Sequence, residues 1–193
     1  MLILDILKRF NWVDFFVLII LFRISYVAIR NGFPLELFKL LGIILSIYLA
    51  LHYYINTGEF FGVMLGIKKM PLEPLYFTAF FILAILGYLV FIFLRIILYR
   101  FVKMEAVPTL DKWGGFLLGI IRGVFTVSLV TCMLVISNID YFKNSVTDSY
   151  SGSYLLRIAP QVYAKIWNGI TSKFMANEKF NEAVPRIEIG PNQ

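Results

Sequence analysis

The sequence predicts an all-α integral membrane protein with four transmembrane helices followed by an amphipathic C-terminal helix. Three observations predict it. Of the 193 residues, 60% are hydrophobic and 16% are charged, against about 45–50% and about 25% in soluble domains. The apolar residues gather into four runs, each close to the ~20 residues that cross a hydrocarbon core of ~30 Å. The remainder turns polar and shows separate polar and apolar stripes at helical spacing. Residues 1–140 therefore form the spanning domain, 141–176 a Ser-rich linker and amphipathic helix, and 177–193 a flexible tail. Little chain is left for a soluble catalytic domain.

Residues 11–29 make the first span, with Trp12 at headgroup level, where indoles are enriched. Before it, Lys8 and Arg9 follow a short apolar stretch instead of preceding it, the reverse of a secretory signal, so the N-terminus is expected to stay in the mature protein. Arg30, Asn31 and Gly32 form a tight turn, Pro34 suits a first helical turn, and the second span continues to about residue 54. The stretch 56–74, with Gly58, Gly62, Gly66, Pro71 and Pro74, reads as a connection with room for a short interfacial helix. Residues 75–94 carry no charge and give the third span. After a loop containing Pro108, the fourth runs over about 113–139. Its Gly115, Gly119 and Gly123 stand four apart on one face, which lets another helix approach closely. Ser145, Ser149, Ser151 and Ser153 suggest a flexible linker. In 154–175, Ile158, Val162, Ile166, Ile170 and Phe174 form the apolar stripe of a helix lying on the membrane or the bundle, with Pro160 either near its start or kinking it.

The chemical inventory is short. One cysteine, Cys132, permits no internal disulfide, and one histidine, His52, rules out a histidine-cluster metal site. Cys132 reads as a small core hydrophobe and His52 as an interfacial side chain. No metal and no cofactor are expected. The net charge of +6 comes without long basic runs, which assigns it to loops and headgroups and not to nucleic acid. Cations divide evenly between the two faces, with Lys8, Arg9, Lys68, Lys69 and Lys143 on one and Arg30, Arg100, Lys103 and Lys112 on the other, joined by Lys39 and Arg95 if these reach it. The positive-inside rule therefore assigns no orientation.

Arg23 and Arg122 require an account, because an arginine at the centre of a span costs about 2.5–3.5 kcal/mol. Arg23 lies roughly 12 Å and Arg122 roughly 13 Å from the face that carries the first and third loops. Glu36, Lys39 and Asp111 stand near that face and Asp14 near the other. One reading has each arginine snorkel to its interface. The other has Glu36 and Asp111 neutralise Arg23 and Arg122 across helices, fixing the packing or lining a polar path. Asp111 also suits a helix N-terminus, where capping outweighs proton handling as its role.

Asn11-Trp12-Val13-Asp14 opens the first span, Gly32-Phe33-x-x-Glu36 the second, and Leu110-Asp111-Lys112-x-x-Gly115-x-x-x-Gly119-x-x-Arg122-Gly123 the fourth. Over about residues 11–160 this resembles the colicin V production (CvpA) family, with Trp12, Asp14 and Gly32 among the matching positions. The chain departs from the family pattern in a longer leading segment, in Lys112 where arginine is common, and in its C-terminal tail. The resemblance implies a multi-pass protein of the bacterial inner membrane connected with colicin V (toxin) production or export and with envelope function.

A non-enzymatic accessory protein is the expected role, acting in the lipid bilayer through self-association or another membrane protein. The alternative is a small oligomeric transporter or channel in which the charged residues line the route of an anionic solute or protons. An intramembrane hydrolase would need a nucleophile and base that the spans do not assemble.

Overall fold

The computed structural model describes residues 10–66, 71–101, 108–175 and 178–189. Lys8, Arg9, Lys68, Lys69 and Lys103 of the charge comparison lie outside the described residues, as does the end of the tail from 190 onward. Four helices are long and apolar enough to cross a membrane: α1 (Trp12–Asn31), α2 (Phe33–Met64), α3 (Glu73–Phe101) and α4 (Pro108–Ile136). α4 packs along α1 on one side and α2 on the other, and α2 packs along α3, so the spans stand in the order α1, α4, α2, α3. The outer pair, α1 and α3, leaves most of its apolar surface uncovered, including Phe15, Phe22, Phe81 and Phe93. In water such a surface would drive aggregation, and in a bilayer it is the ordinary lipid-facing side.

The helix ends differ from those expected, for local reasons. α2 does not stop near residue 54. Its 32 residues extend ~48 Å, well past a ~30 Å hydrocarbon core. Gly58 and Gly62 are packing sites, not breakers: the first lies against Tyr76 and the second against Leu72 and Leu75. Pro74 and Pro108 fall in the first turns of α3 and α4, where a missing N–H costs nothing. α4 ends at Ile136, and Asn138 turns the chain with a positive φ of 54°.

Four further helices and a π-helical turn cover one end of the bundle: α5 (Asp140–Asp148), α6 (Tyr150–Leu155), α7 (Ile158–Ile166), the π turn Trp167–Thr171 and α8 (Ser172–Phe174). The serine segment is thus helical and docked, not a flexible linker. Asp14 shows why: its Oδ1 accepts the Ser151 N–H at 2.7 Å and the Ser151 hydroxyl, while its Oδ2 accepts the Asn11 N–H at 3.0 Å. Asn11 completes a capping box on α1 and donates its side-chain amide to the Ser145 carbonyl at 2.7 Å. The face of α7 and the π turn that meets the bundle is Ala159, Tyr163, Trp167 and Thr171, one residue round from the expected stripe. That stripe flanks the contact, and by Phe174 it is 82% exposed. Pro160 sits in the first turn of α7, and the Ala159 N–H is satisfied by the Ser128 hydroxyl of α4 at 2.7 Å.

A loose tail was expected from 177 onward, but residues 178–189 pack back on the bundle. Val184 and Ile187 of α9 (Val184–Ile189) are buried. The Asn181 side-chain amide donates to the Leu51 carbonyl at 2.7 Å, and its backbone N–H donates to Tyr163 Oη at 3.1 Å. His52 is buried instead of interfacial. Its Nδ1 lies 2.9 Å from Tyr163 Oη and its Nε2 3.2 Å from Glu178, and it stacks between Tyr48 and Trp167. Burial pushes the Tyr163 hydroxyl up to about 12, partly offset by the Asn181 N–H.

Tyr163→Phe removes the oxygen that both His52 and Asn181 use. Docking of 178–189 should weaken by about 1–2 kcal/mol, read as roughly tenfold faster tryptic cleavage after the exposed Lys179, with the spans intact. An unchanged cleavage rate would show that apolar burial alone holds the segment. The same hydroxyl has an ordinary value of 10.0 and a folded one of about 12. Because the fold prefers the neutral form, this contribution is full below pH 10 and lost as pH rises through 12. Trp167 fluorescence, with the other two tryptophans replaced, should report that release.

Candidate functional site

Glu36, Lys39, Asp111 and Arg122 gather where α1, α2 and α4 converge near the first loop. Gly32 makes the α1–α2 turn with φ 77° and ψ 168°, a region essentially reserved for glycine. It also leaves room for the Asp111 carboxylate, which a Cβ on Gly32 would strike. Asp111 lies in the first turn of α4, yet the N–H it caps belongs to α2: Phe33 N–H donates to its Oδ1 at 2.7 Å. The orphan donor at the start of one helix is thus satisfied by the neighbouring helix. Asp111→Ala should cost about 0.5–2 kcal/mol, measured by thermal unfolding in detergent. Asp111→Asn, which keeps an acceptor, should recover most of that loss. If Asn is as damaging as Ala, the carboxylate acts through its charge and not as a cap.

One turn into α2, Glu36 is completely buried. Its Oε2 accepts from Arg122 Nε at 2.8 Å, and its Oε1 accepts from Lys39 Nζ at 2.9 Å and Asn31 Nδ2 at 2.6 Å. One carboxylate thereby faces two cations and an amide, so the cluster keeps one net positive charge. Arg122 is 8% exposed. A helical side chain leans toward its own N-terminus, which carries the guanidinium from mid-span α4 back toward Glu36.

The glycines of α4 let α1 pack closely along it. Gly115 faces the Ala28 carbonyl of α1 and the Gly32 turn, Gly119 faces the Ala28 side chain, and Gly123 faces Leu21 and Ile24 of α1. A second close approach, absent from the sequence reading, joins α2 and α3. A Cβ on Gly87 would come within 2.6 Å of the Ser46 Cα, and the Ser46 hydroxyl donates to the Ala84 carbonyl at 2.7 Å.

Arg23 does not join the cluster. It is exposed on the outer side of α1 and makes no ion pair among the described residues. Asp111 pairs with neither arginine, and Asp14 and Trp12 belong to the opposite end. Sequence reasoning also missed the cage around His52, because its partners Tyr163 and Glu178 lie 111 and 126 positions away; Tyr53 and Tyr54 beside it were the only local signal. Cys132 is buried, with Sγ 3.5 Å from the Leu156 carbonyl. Among the described residues no three His, Cys, Asp or Glu side chains come together to hold a metal.

Four apolar helices, a glycine seam and a carboxylate shared by intramembrane cations define a multi-pass α-helical membrane protein. The model of the family described as colicin V production protein matches residues 13–160. The chain belongs to that family. No curated protein and no solved structure matches it.

Proposed function

We propose that the chain is a non-catalytic accessory protein of the bacterial inner membrane that serves the production or export of colicin V or a comparable toxin, and envelope function more broadly. Family membership carries this reading. The way the polar groups are spent supports its non-catalytic part. Glu36 and Arg122 engage each other, Asp111 caps a helix, and the hydroxyls of Ser46, Thr126 and Thr131 donate to backbone carbonyls. The Glu36–Arg122, Asp111–Phe33 and Ser46–Ala84 bonds hold helices together, and the two threonines bond back within α4.

The transport alternative draws on one observation, a carboxylate buried within a span, since intramembrane ionisable groups mark ion paths in many proteins. Liposome flux separates the two. Purified protein should carry no proton or anion flux above protein-free vesicles, and deleting its gene should lower secreted toxin in a producing strain. Flux through the folded wild-type chain would replace the accessory role with transport.

A further inference from the structure

We infer that the outer face of α1 is a docking surface for a membrane-spanning helix of another protein, one that carries a carboxylate near mid-membrane to meet Arg23. This extends the accessory reading and rests on it. The face consists of Phe15, Ile19, Phe22, Arg23 and Tyr26, all exposed, with Phe22 at 75%. Aliphatic and aromatic groups there need nothing but lipid. Arg23 needs more.

It stands eleven residues into α1, roughly 16 Å from Trp12 and roughly 12 Å from Asn31, close to the middle of the bilayer. The nearer surface is the one at the C-terminal end of α1, whereas helical side chains lean toward the N-terminus, so reaching headgroups works against the backbone. Arg30, by contrast, sits at the helix end, donates to the Tyr26 hydroxyl and covers the Tyr26 ring at 4.6 Å. Arg23 is therefore the cation on this face that stands within the span with neither a counter-charge nor a hydrogen-bond partner among the described residues.

A second copy of the chain cannot supply that counter-charge from its described spans. Asp14 and Glu36 are buried and fully engaged, and Asp111 holds the Phe33 N–H. Glu59 and Glu73 lie at the far ends of α2 and α3, outside the depth of Arg23. The glycine seam that would suit self-association is already occupied by α1. A foreign helix with Asp or Glu at mid-depth answers the charge and the apolar face together, because a hydrogen-bonded polar contact is a principal glue between helices in lipid.

The test uses the full chain in phosphatidylethanolamine–phosphatidylglycerol vesicles and two synthetic Leu-rich single-span helices, one with a central Glu and one with Gln. A central position makes either direction of insertion equivalent. Energy transfer from the protein's tryptophans to a dansyl group on the probe reads association. Wild type should bind the Glu helix at least about fivefold more tightly than the Gln helix. Arg23→Leu should abolish the preference and Arg23→Lys should keep part of it, with unfolding temperatures confirming that both variants fold. Equal binding of the two probes by wild type, or a preference that survives in Arg23→Leu, overturns the proposal. So does Arg23-dependent association of the chain with itself in vesicles that lack a probe. The flux measurement judges the accessory reading separately.

Discussion

Glu36→Gln is expected to destabilise the bundle by about 3–5 kcal/mol, the largest loss of any single polar substitution in the spans. The reason is asymmetry. A buried pair contributes little relative to a well-packed apolar pair, but removing one partner leaves the other charge without compensation in a low-dielectric interior. Here the stranded groups are Arg122, 8% exposed, and Lys39, which is partly open and can turn toward the headgroups. The reverse deletion should be milder. In Arg122→Met the Glu36 carboxylate keeps Lys39 at 2.9 Å and Asn31 at 2.6 Å, so roughly half the loss is expected. The double variant Glu36→Gln with Arg122→Met should recover most of the stability, since no stranded charge remains at the pair. Unfolding by added SDS, followed by intrinsic fluorescence, measures all three. If Glu36→Gln unfolds at the wild-type SDS fraction, the pair is not what holds α2 against α4.

The same cluster shows what a linear sequence encodes in a membrane protein. Four spans were legible because lipid demands about twenty apolar residues of each, and α1 to α4 supply them. The depths of Arg23 and Arg122 were legible too, because rise per residue is constant. Their directions were not. In a soluble helix the polar side reveals which face looks outward, but lipid is as apolar as a packed interior. On α1 the buried Val13, Val17 and Ala28 and the exposed Phe15, Ile19 and Phe22 are all apolar, so no polar face marked Arg23 as outward and Arg122 as inward. Glu36 and Asp111 could both be placed near the first loop, but which partner each takes was not legible, because Glu36 meets Arg122 across 86 positions and Asp111 meets the Phe33 N–H across 78. The C-terminal region failed for another reason. Its serines and polar residues resemble a linker by composition, yet Asp14 and Asn11 supply the acceptors and donors that order it, and no property local to residues 145–153 announces partners at the start of the chain.

The glycine seam gives the second large effect, and its logic is steric. At Gly119 even one added methyl group would overlap the Ala28 side chain, and α1 already lies so close at Gly115 that a Cβ there would stand 2.9 Å from the Ala28 carbonyl oxygen. α1 must therefore move away from α4 as a whole. Gly119→Ala should cost about 1–3 kcal/mol, the usual range for overpacking in a dense interior. Gly119→Leu should exceed that range and prevent stable association of the two helices. The identity of the obstacle makes a compensating change available. If the clash is with the Ala28 methyl, Ala28→Gly combined with Gly119→Ala moves the methyl from one helix to the other and should restore most of the lost stability. Ala28→Gly alone should be mildly destabilising through lost packing and helix propensity. Thermal unfolding of the four chains in one detergent forms a double-mutant cycle with a favourable coupling expected between neighbours in contact. Additive losses would mean that Gly119 is needed for some reason other than the approach of α1.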